Sequence, residues 1–415
     1  MLPKDKQIYK FSAYGFLKNL RFFDPFIILF FREMGISFLE IGILFSIRSI
    51  FTIFFEIPSG IIADSYGKKN TMIFAFTAYI FSFIMFYLFP HYGFYIVAMI
   101  FYSIGESFRS GTHKAMILTY LKLKKWDNLK TEYYGYTRGW SQRGSAISSL
   151  IAGGIVLFTG QYKFIFLAST VPYVLDLLLM ISYPNELNDY KKIIDKTNII
   201  RQLFENYKLT ANIFIQSFKN GRFIKSLLNS TMYDGLFKTI KDYIQPMIKI
   251  YALTLPVIFF TKEKQVVIII SIIYFILYLF TSYASEHSGK ISKKFGNIIS
   301  VVNISFLLGI FLAIAVGIFY HLDYKVVAII IFIFLFVFQN FRRPINVAII
   351  SDEISYKVMS SGLSAESFLK NIIQMIFAPV LGILIDSYGI GIGIITISTI
   401  TILFYPLIKL QNLKK

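Results

Sequence analysis
The sequence predicts an all-α membrane protein of twelve transmembrane helices, arranged as two pseudo-symmetric six-helix bundles. Composition is the first reason. Apolar residues make up 56% of 415 and Phe alone numbers 45, with a mean hydropathy of +0.62, whereas soluble domains hold roughly 45–50% apolar residues even with Gly included. The second reason is the recurrence of apolar runs near the ~20 residues that a helix needs to cross a ~30 Å hydrocarbon core. The third is a duplication: Gly60, Gly67, Gly153 and Gly160 each have a glycine 229 residues further on, at Gly289, Gly296, Gly382 and Gly389, although only 25 glycines are present. Duplicated apolar halves are the plan of many secondary transporters, in which the substrate path runs between the repeats.

Taken in order, spans are expected near residues 11–31, 38–63, 71–89, 93–118, 136–159, 164–183, 228–254, 265–285, 298–319, 325–346, 361–385 and 389–408. Most connections are short and turn-like, as at Pro90-His91-Tyr92-Gly93. The long stretch 184–227 divides a first bundle, 1–183, from a second, 228–415. Within it Ile193, Ile194, Ile199, Ile200, Leu203, Phe204 and Tyr207 fall at helical spacing between charges. That pattern fits an amphipathic helix on the inner membrane surface, or a plain linker.

The orientation follows from Lys and Arg in the loops. With the amino terminus inside, the inner loops hold 26 and the outer loops five, an excess that places both termini in the cytoplasm. The formal charge of +19 is spread over every inner loop. Topology therefore accounts for it, and no nucleic-acid partner is expected. A monomer in the inner membrane, in contact with lipid and a small-molecule substrate, is the expectation. With no Cys and four scattered His, disulfides, thiolate catalysis and clustered metal ligands find no support. The first apolar segment carries Lys18, Arg21 and Asp24 with no small-residue cleavage site after it, so it is expected to stay as a helix. The sequence carries no H-E-x-x-H, G-x-S-x-G or P-loop pattern, which argues against an enzyme and against ATP use.

The most specific motif is the stretch from Glu56 to Asn70, EIPSGIIADSYGKKN. Gly60 allows close helix approach, Asp64 can accept hydrogen bonds near a helix end, Gly67 permits a tight turn, and Lys68 and Lys69 meet the anionic inner leaflet. The pattern G-x-x-x-D-x-x-G-K-K recurs in degraded form at Gly289–Asn297. It resembles the signature loop between the second and third helices of the major facilitator superfamily, and the twelve spans, the repeat and the basic central loop agree with that family over the whole length. Two departures stand out: Ser65 takes the place of the family's usual basic residue, and Lys293 the place of the acid in the second copy. The resemblance implies the major facilitator fold and alternating access powered by a proton gradient, with no cofactor. Glu56-Ile57-Pro58 followed by Asp64 and two lysines also looks like the E-x-P-x(5)-D-x(3)-[RK]-K pattern of some drug exporters. It implies proton-driven efflux of a drug or antibiotic by an antiporter; the alternative is proton-coupled uptake of a small polar or anionic nutrient.

Ionisable residues inside spans are the site candidates, because a charge facing lipid is costly. Glu56 lies ~12 Å below the inner end of its helix and directly before Pro58. There the missing backbone donor can admit water, so Glu56 reads as the first proton-coupling candidate or as a structural partner of Arg48. Asp24 and Glu106 are the lesser ones. Lys18, Arg21 and Asp24 at i, i+3 and i+6 share one face of the first helix, either as a cavity wall or as an Arg21–Asp24 pair that locks helices together. Glu106 and Arg109 are i, i+3 neighbours between Gly105 and Gly111. His113 reads as a residue near the inner headgroups. Arg143 is the deeper of two basic residues in the fifth span. In the second half, Asp234 with Lys238 and Glu366 with Lys370 are i, i+4 pairs and are candidates for the substrate cavity. The acids inside spans are Asp24, Glu40, Glu56, Glu106, Asp176, Asp234, Asp242 and Glu366. Arg342 and Arg343 end the tenth span as an inner-gate element, and Asp386 reads as a turn cap. A basic surplus inside suits an amphiphilic, zwitterionic or anionic solute.

Overall fold
The computed structural model describes residues 5–126, 129–188, 205, 208, 221–257, 261–294, 298–352 and 359–411. Every regular element among them is a helix. The chain forms two compact units. Unit 1 holds Met1–Phe26, Ile47–Tyr207 and Ser271–Tyr278; unit 2 holds Ile27–Ser46, Lys208–Ile270 and Leu279–Lys415. The amphipathic segment expected at 193–207 lies outside the described residues but for Glu205.

The early helices are α1 (Lys6–Lys18), α2 (Ile27–Glu33), α3 (Phe38–Tyr66), α4 (Lys68–Leu88), α5 (Tyr92–Arg109), α6 (Thr112–Leu123), α7 (Lys130–Thr159) and α8 (Phe164–Ile181). The later ones are α9 (Gly221–Ile240), α10 (Ile244–Thr254), α11 (Lys262–Lys294), α12 (Ile298–His321), α13 (Lys325–Asp352), α14 (Met359–Leu403) and the short α15 (Tyr405–Ile408). α14 turns sharply at Gly389 (φ 86°), so it supplies both of the last two expected spans. Seven of the described helical stretches are long and apolar enough to cross a bilayer. The first, fourth, fifth and seventh expected spans are not among them, and three of these are broken where their polar residues sit.

The first break corrects the reading of a continuous helix. α1 stops at Lys18, and tight turns run through Arg21–Asp24 and Phe23–Phe26 before α2 begins. Pro25 contributes to this, because it has no amide to donate to the Arg21 carbonyl and a continuous helix loses a hydrogen bond there. Lys18, Arg21 and Asp24 therefore do not line one helical face. α5 and α6 are parted by an extended Ser110 and by Gly111 at φ 78°, a conformation a Cβ disfavours. In unit 2 a 3-10 turn, Lys241–Tyr243, joins α9 to α10. Pro246 lies just beyond it and leaves the Asp242 carbonyl without its α-helical donor, which favours the tighter turn.

The start of α3 is tied into unit 2. Ser37 and Glu40 form a reciprocal cap: the Ser37 amide donates to Glu40 Oε2 at 2.8 Å and the Glu40 amide to Ser37 Oγ at 3.1 Å. Glu40 is thus a helix cap. Asp386 covers the remaining early amides, accepting from Phe38 N at 3.1 Å and Leu39 N at 2.8 Å. It caps another helix, not the turn expected from sequence. A Cβ on Gly42 would meet Ala378 O at 2.3 Å, and one on Gly382 would meet Phe38 O at 2.4 Å. Only glycine lets α3 and α14 approach this closely. The Ile28 amide donates to Gln245 Oε1 at 2.9 Å, and Ser46 Oγ donates to Met375 O.

The octapeptide holding Asp386, GILIDSYG at Gly382–Gly389, repeats GIIADSYG at Gly60–Gly67 with six of eight residues identical. Both end on a glycine of positive φ, 97° at Gly67 and 86° at Gly389, and both lead straight into the next helix. Asn188 packs under the first copy: its Oδ1 accepts from Lys69 N at 3.0 Å and Asn70 N at 3.3 Å. Lys69 Nζ donates to Tyr183 O at 2.7 Å and Lys68 Nζ to Thr119 Oγ1 at 3.2 Å. The two lysines thus bind protein, beyond the lipid role expected of them. Gly60 is exposed on α3. The Asp64 side chain and the second signature copy at 289–297 lie outside the described side chains.

Candidate functional site
Within unit 1 the two interrupted helices bring their charges together. Glu106, on the last turn of α5, accepts from Arg21 Nη2 at 3.1 Å and Arg109 Nη2 at 3.1 Å. Tyr79 of α4 donates to the same Oε1 at 2.5 Å and accepts from Arg109 Nε at 3.1 Å. One carboxylate oxygen thus holds two guanidiniums and a phenol, bonds that are strong because they are charge-assisted. Two guanidiniums thus share one carboxylate oxygen, while Lys18, at the end of α1, also acts on Glu106 and Asp24 acts on Arg21. These side chains keep some solvent access, 20% for Arg21, 28% for Glu106 and 14% for Arg109. They are neither sealed away nor spread on the surface.

Aromatic residues build the wall. Tyr79 and Tyr173 are fully buried with ring centroids 5.1 Å apart, and Tyr79 and Tyr102 are 5.2 Å apart. Gly105 is required here, because a Cβ would lie 2.7 Å from the Tyr79 ring. Tyr173 OH donates to Lys18 O at 3.1 Å, which fixes α8 against the end of α1. One helical turn further along α8, Asp176 is completely buried.

His113, expected to snorkel among the headgroups, is instead packed inside protein. It is 7% exposed, stacks on Tyr14 at 3.5 Å between centroids and bonds Tyr183 OH at 3.2 Å through Nε2. Arg143 stays outside the cluster, exposed on α7 with its guanidinium 4.9 Å from the Trp140 ring centroid. Glu56 is half-buried on α3, and Asp24 is half-buried in the turn after α1. Glu56 is not among the residues that hold Glu106.

Unit 2 has its own polar core. Arg342 has no solvent exposure and lies inside α13, which runs on past the end of the tenth span to Asp352. Its Nε donates to Ser305 Oγ at 3.1 Å and its Nη2 to Asn229 Oδ1, while Tyr233 and Phe306 lie 4.3 and 5.5 Å from the guanidinium carbon. The expected i, i+4 pairs also reach across helices. Gln339 donates to Asp234 Oδ1 at 2.7 Å, Lys238 to Asn371 Oδ1 at 2.6 Å, and Ser230 to Glu366 Oε1 at 2.9 Å. Lys370 is half-buried one turn from Glu366.

Sequence reasoning missed the supporting cast. Tyr79, Tyr102 and Tyr173 gave no signal among 28 tyrosines, and Asp176 was one of eight intramembrane acids with nothing to single it out. The burial of Arg342 gave no signal, because Arg343 and Pro344 beside it imitate a loop.

A sequence profile of the Major Facilitator Superfamily matches residues 15–378. The chain belongs to that superfamily. It is a multi-pass membrane transporter and not an enzyme. An uncharacterized MFS-type transporter, YxaM of Bacillus subtilis (strain 168), is 33% identical over 104 residues, covering 25% of this chain and 26% of that protein. The match therefore spans about a quarter of this relative. Among solved structures the fold is similar to the nucleoside transporter NupG (TM-score 0.72, 13% identity, 97% and 98% of the two chains). It is also similar to a D-xylose-proton symporter (0.68, 11%, 98% and 98%). A POT family transporter in complex with 5-aminolevulinic acid matches likewise (0.66, 17%, 97% and 94%). Likeness at such identities fixes the fold alone.

Proposed function
We propose that this transporter moves a small polar solute bearing an acidic group by alternating access, with protons as the driving ion. The observation that carries this reading is the pair of guanidiniums, Arg21 and Arg109, on one oxygen of Glu106 in a site with partial solvent access, where Lys18 also acts on Glu106 and Asp24 on Arg21. Such a site offers guanidinium donors to a carboxylate or phosphate and repels a lipophilic cation. Solutes named for the structural relatives, a nucleoside, a pentose and an amino acid, are likewise small and polar. In this reading the chain sits in the cytoplasmic membrane as a monomer with both termini inside, works as two six-helix bundles, and binds neither cofactor nor nucleic acid.

Export of a drug or antibiotic is the second reading. The spacing Glu56-x-Pro58 to Asp64 and Lys68-Lys69 favours it. Accumulation of labelled small acids and of drugs, in cells with and without the gene and with and without an uncoupler, tests both. Uncoupler-sensitive uptake of an acid supports the first reading. Uncoupler-sensitive exclusion of a drug, with no acid transported, replaces it by the second.

A further inference from the structure
We propose that Asp176 is the residue that takes up the coupling proton. The inference rests on the transport reading above and names the proton site within it. Asp176 has 0% exposure, and among the described residues neither of its carboxylate oxygens meets a hydrogen-bond donor. An ionised carboxylate in such surroundings is among the costliest groups a protein interior can hold, and a neutral acid costs far less. In this conformation the side chain is therefore the carboxylic acid.

The geometry also supplies the partner that lets the proton leave. Tyr173 OH bonds the Lys18 carbonyl, and Asp176 follows Tyr173 by three residues on the same face of α8. That places the carboxyl beside the end of α1. Lys18 and Arg109 are the cations that act on Asp176, and the phenols of Tyr14 and Tyr183 face it as well. From α4 and α7, which also pack on α8, no charged group acts on it among the described residues. Arg109 is already bound to Glu106 and Tyr79. Lys18 is different: it is the last residue of α1, and with its carbonyl held by Tyr173, rotation of its long flexible side chain is enough to move the ammonium.

The cycle that results is balanced. When Lys18 approaches Asp176, the acid releases its proton to water and the carboxylate pairs with the ammonium. When an anionic solute draws Lys18 toward Arg21 and Arg109, Asp176 loses its counter-ion and binds a proton from water. Anion and proton therefore bind together, and by linkage each raises the affinity for the other. The pair travels in one direction, as in a symporter. Glu56, the first candidate from sequence, is half-buried and engaged in contacts of its own.

Infrared difference spectra of the full chain in proteoliposomes test the proposal without knowledge of the solute. Lowering the pH should raise a protonated-carboxyl band that vanishes in Asp176→Asn and survives in Glu56→Gln. In Lys18→Gln, which keeps Asp176 should the first variant fold poorly, the band should persist to a pH about one unit more alkaline. A band unchanged in Asp176→Asn, or one lost in Glu56→Gln instead, overturns the assignment, as does a Lys18→Gln profile identical to wild type. The transport reading fails separately, through absence of any proton-driven flux while the Asp176 band is present.

Discussion
Replacing Asp386 by alanine should release the start of α3 from α14. The carboxylate covers two amides at the start of a 29-residue helix, Phe38 N at 3.1 Å and Leu39 N at 2.8 Å. Loss of a side-chain cap costs about 0.5–2 kcal/mol, and loss of a negative charge at a helix N-terminus a further ~0.3–1 kcal/mol. Asp386 is exposed, so water takes over part of the role and a net loss of about 1–2 kcal/mol is expected. With ~1.4 kcal/mol per tenfold, the population in which this segment detaches rises about five- to thirty-fold. The chain has no native cysteine, which permits a direct assay. A single cysteine at Ser46, 7% exposed and bonded to Met375 O, reports detachment through its alkylation rate. A cysteine at Ser82, fully buried in unit 1, reports general unfolding. The rate should rise at Ser46 by that factor and stay unchanged at Ser82. An unchanged rate at Ser46 would refute the claim that Asp386 holds the segment.

Arg342→Met should retain the packing volume yet leave Asn229 Oδ1 and Ser305 Oγ without their donor. Breaking a buried charged network costs about 3–5 kcal/mol, so purified protein should melt well below wild type; an equal melting temperature would show that the guanidinium is dispensable. Gly67→Ala should lower stability by more than ~1 kcal/mol, because the backbone sits at φ 97° and the new Cβ would lie 2.2 Å from Asn188 Oδ1. Pairing it with Asn188→Ala should recover the steric part only, leaving the backbone strain; full recovery in thermal melts would contradict that division. Gly42→Leu should arrest transport while the protein still reaches the membrane, since the side chain would run into the Ala378 carbonyl; transport at the wild-type rate would deny the need for close approach.

The sequence made the architecture readable and the site only partly so. Apolar runs and the offset glycines are properties of whole helices, which the bilayer dictates residue by residue. The breaks in the first, fourth and seventh spans are local. Pro25 and Gly111 signalled two of them, but hydropathy averaged over a window hides a turn of a few residues. The Glu106–Arg109 pair was legible because i, i+3 spacing is a short-range rule. The contact of Glu106 with Arg21 and Tyr79 spans 85 and 27 residues of chain, and no spacing rule reaches that far. Asp176 and Arg342 become distinctive only through what surrounds them. The repeat of GIIADSYG as GILIDSYG was visible in the residues themselves. Its meaning required the amides of Phe38 and Leu39.

The most direct test of the account is proton-driven flux of small acids in proteoliposomes that contain the purified chain, an imposed pH gradient and no nucleotide. A panel of labelled carboxylates and phosphates should include one that moves uphill in wild type and collapses with an uncoupler. In Arg21→Met and Arg109→Met the same flux should fall at least about tenfold, the loss expected when one charge-assisted hydrogen bond worth ~1.5–3 kcal/mol is removed from a bound anion. Undiminished flux in both variants would contradict the assignment of the Glu106 cluster as the place where the solute binds.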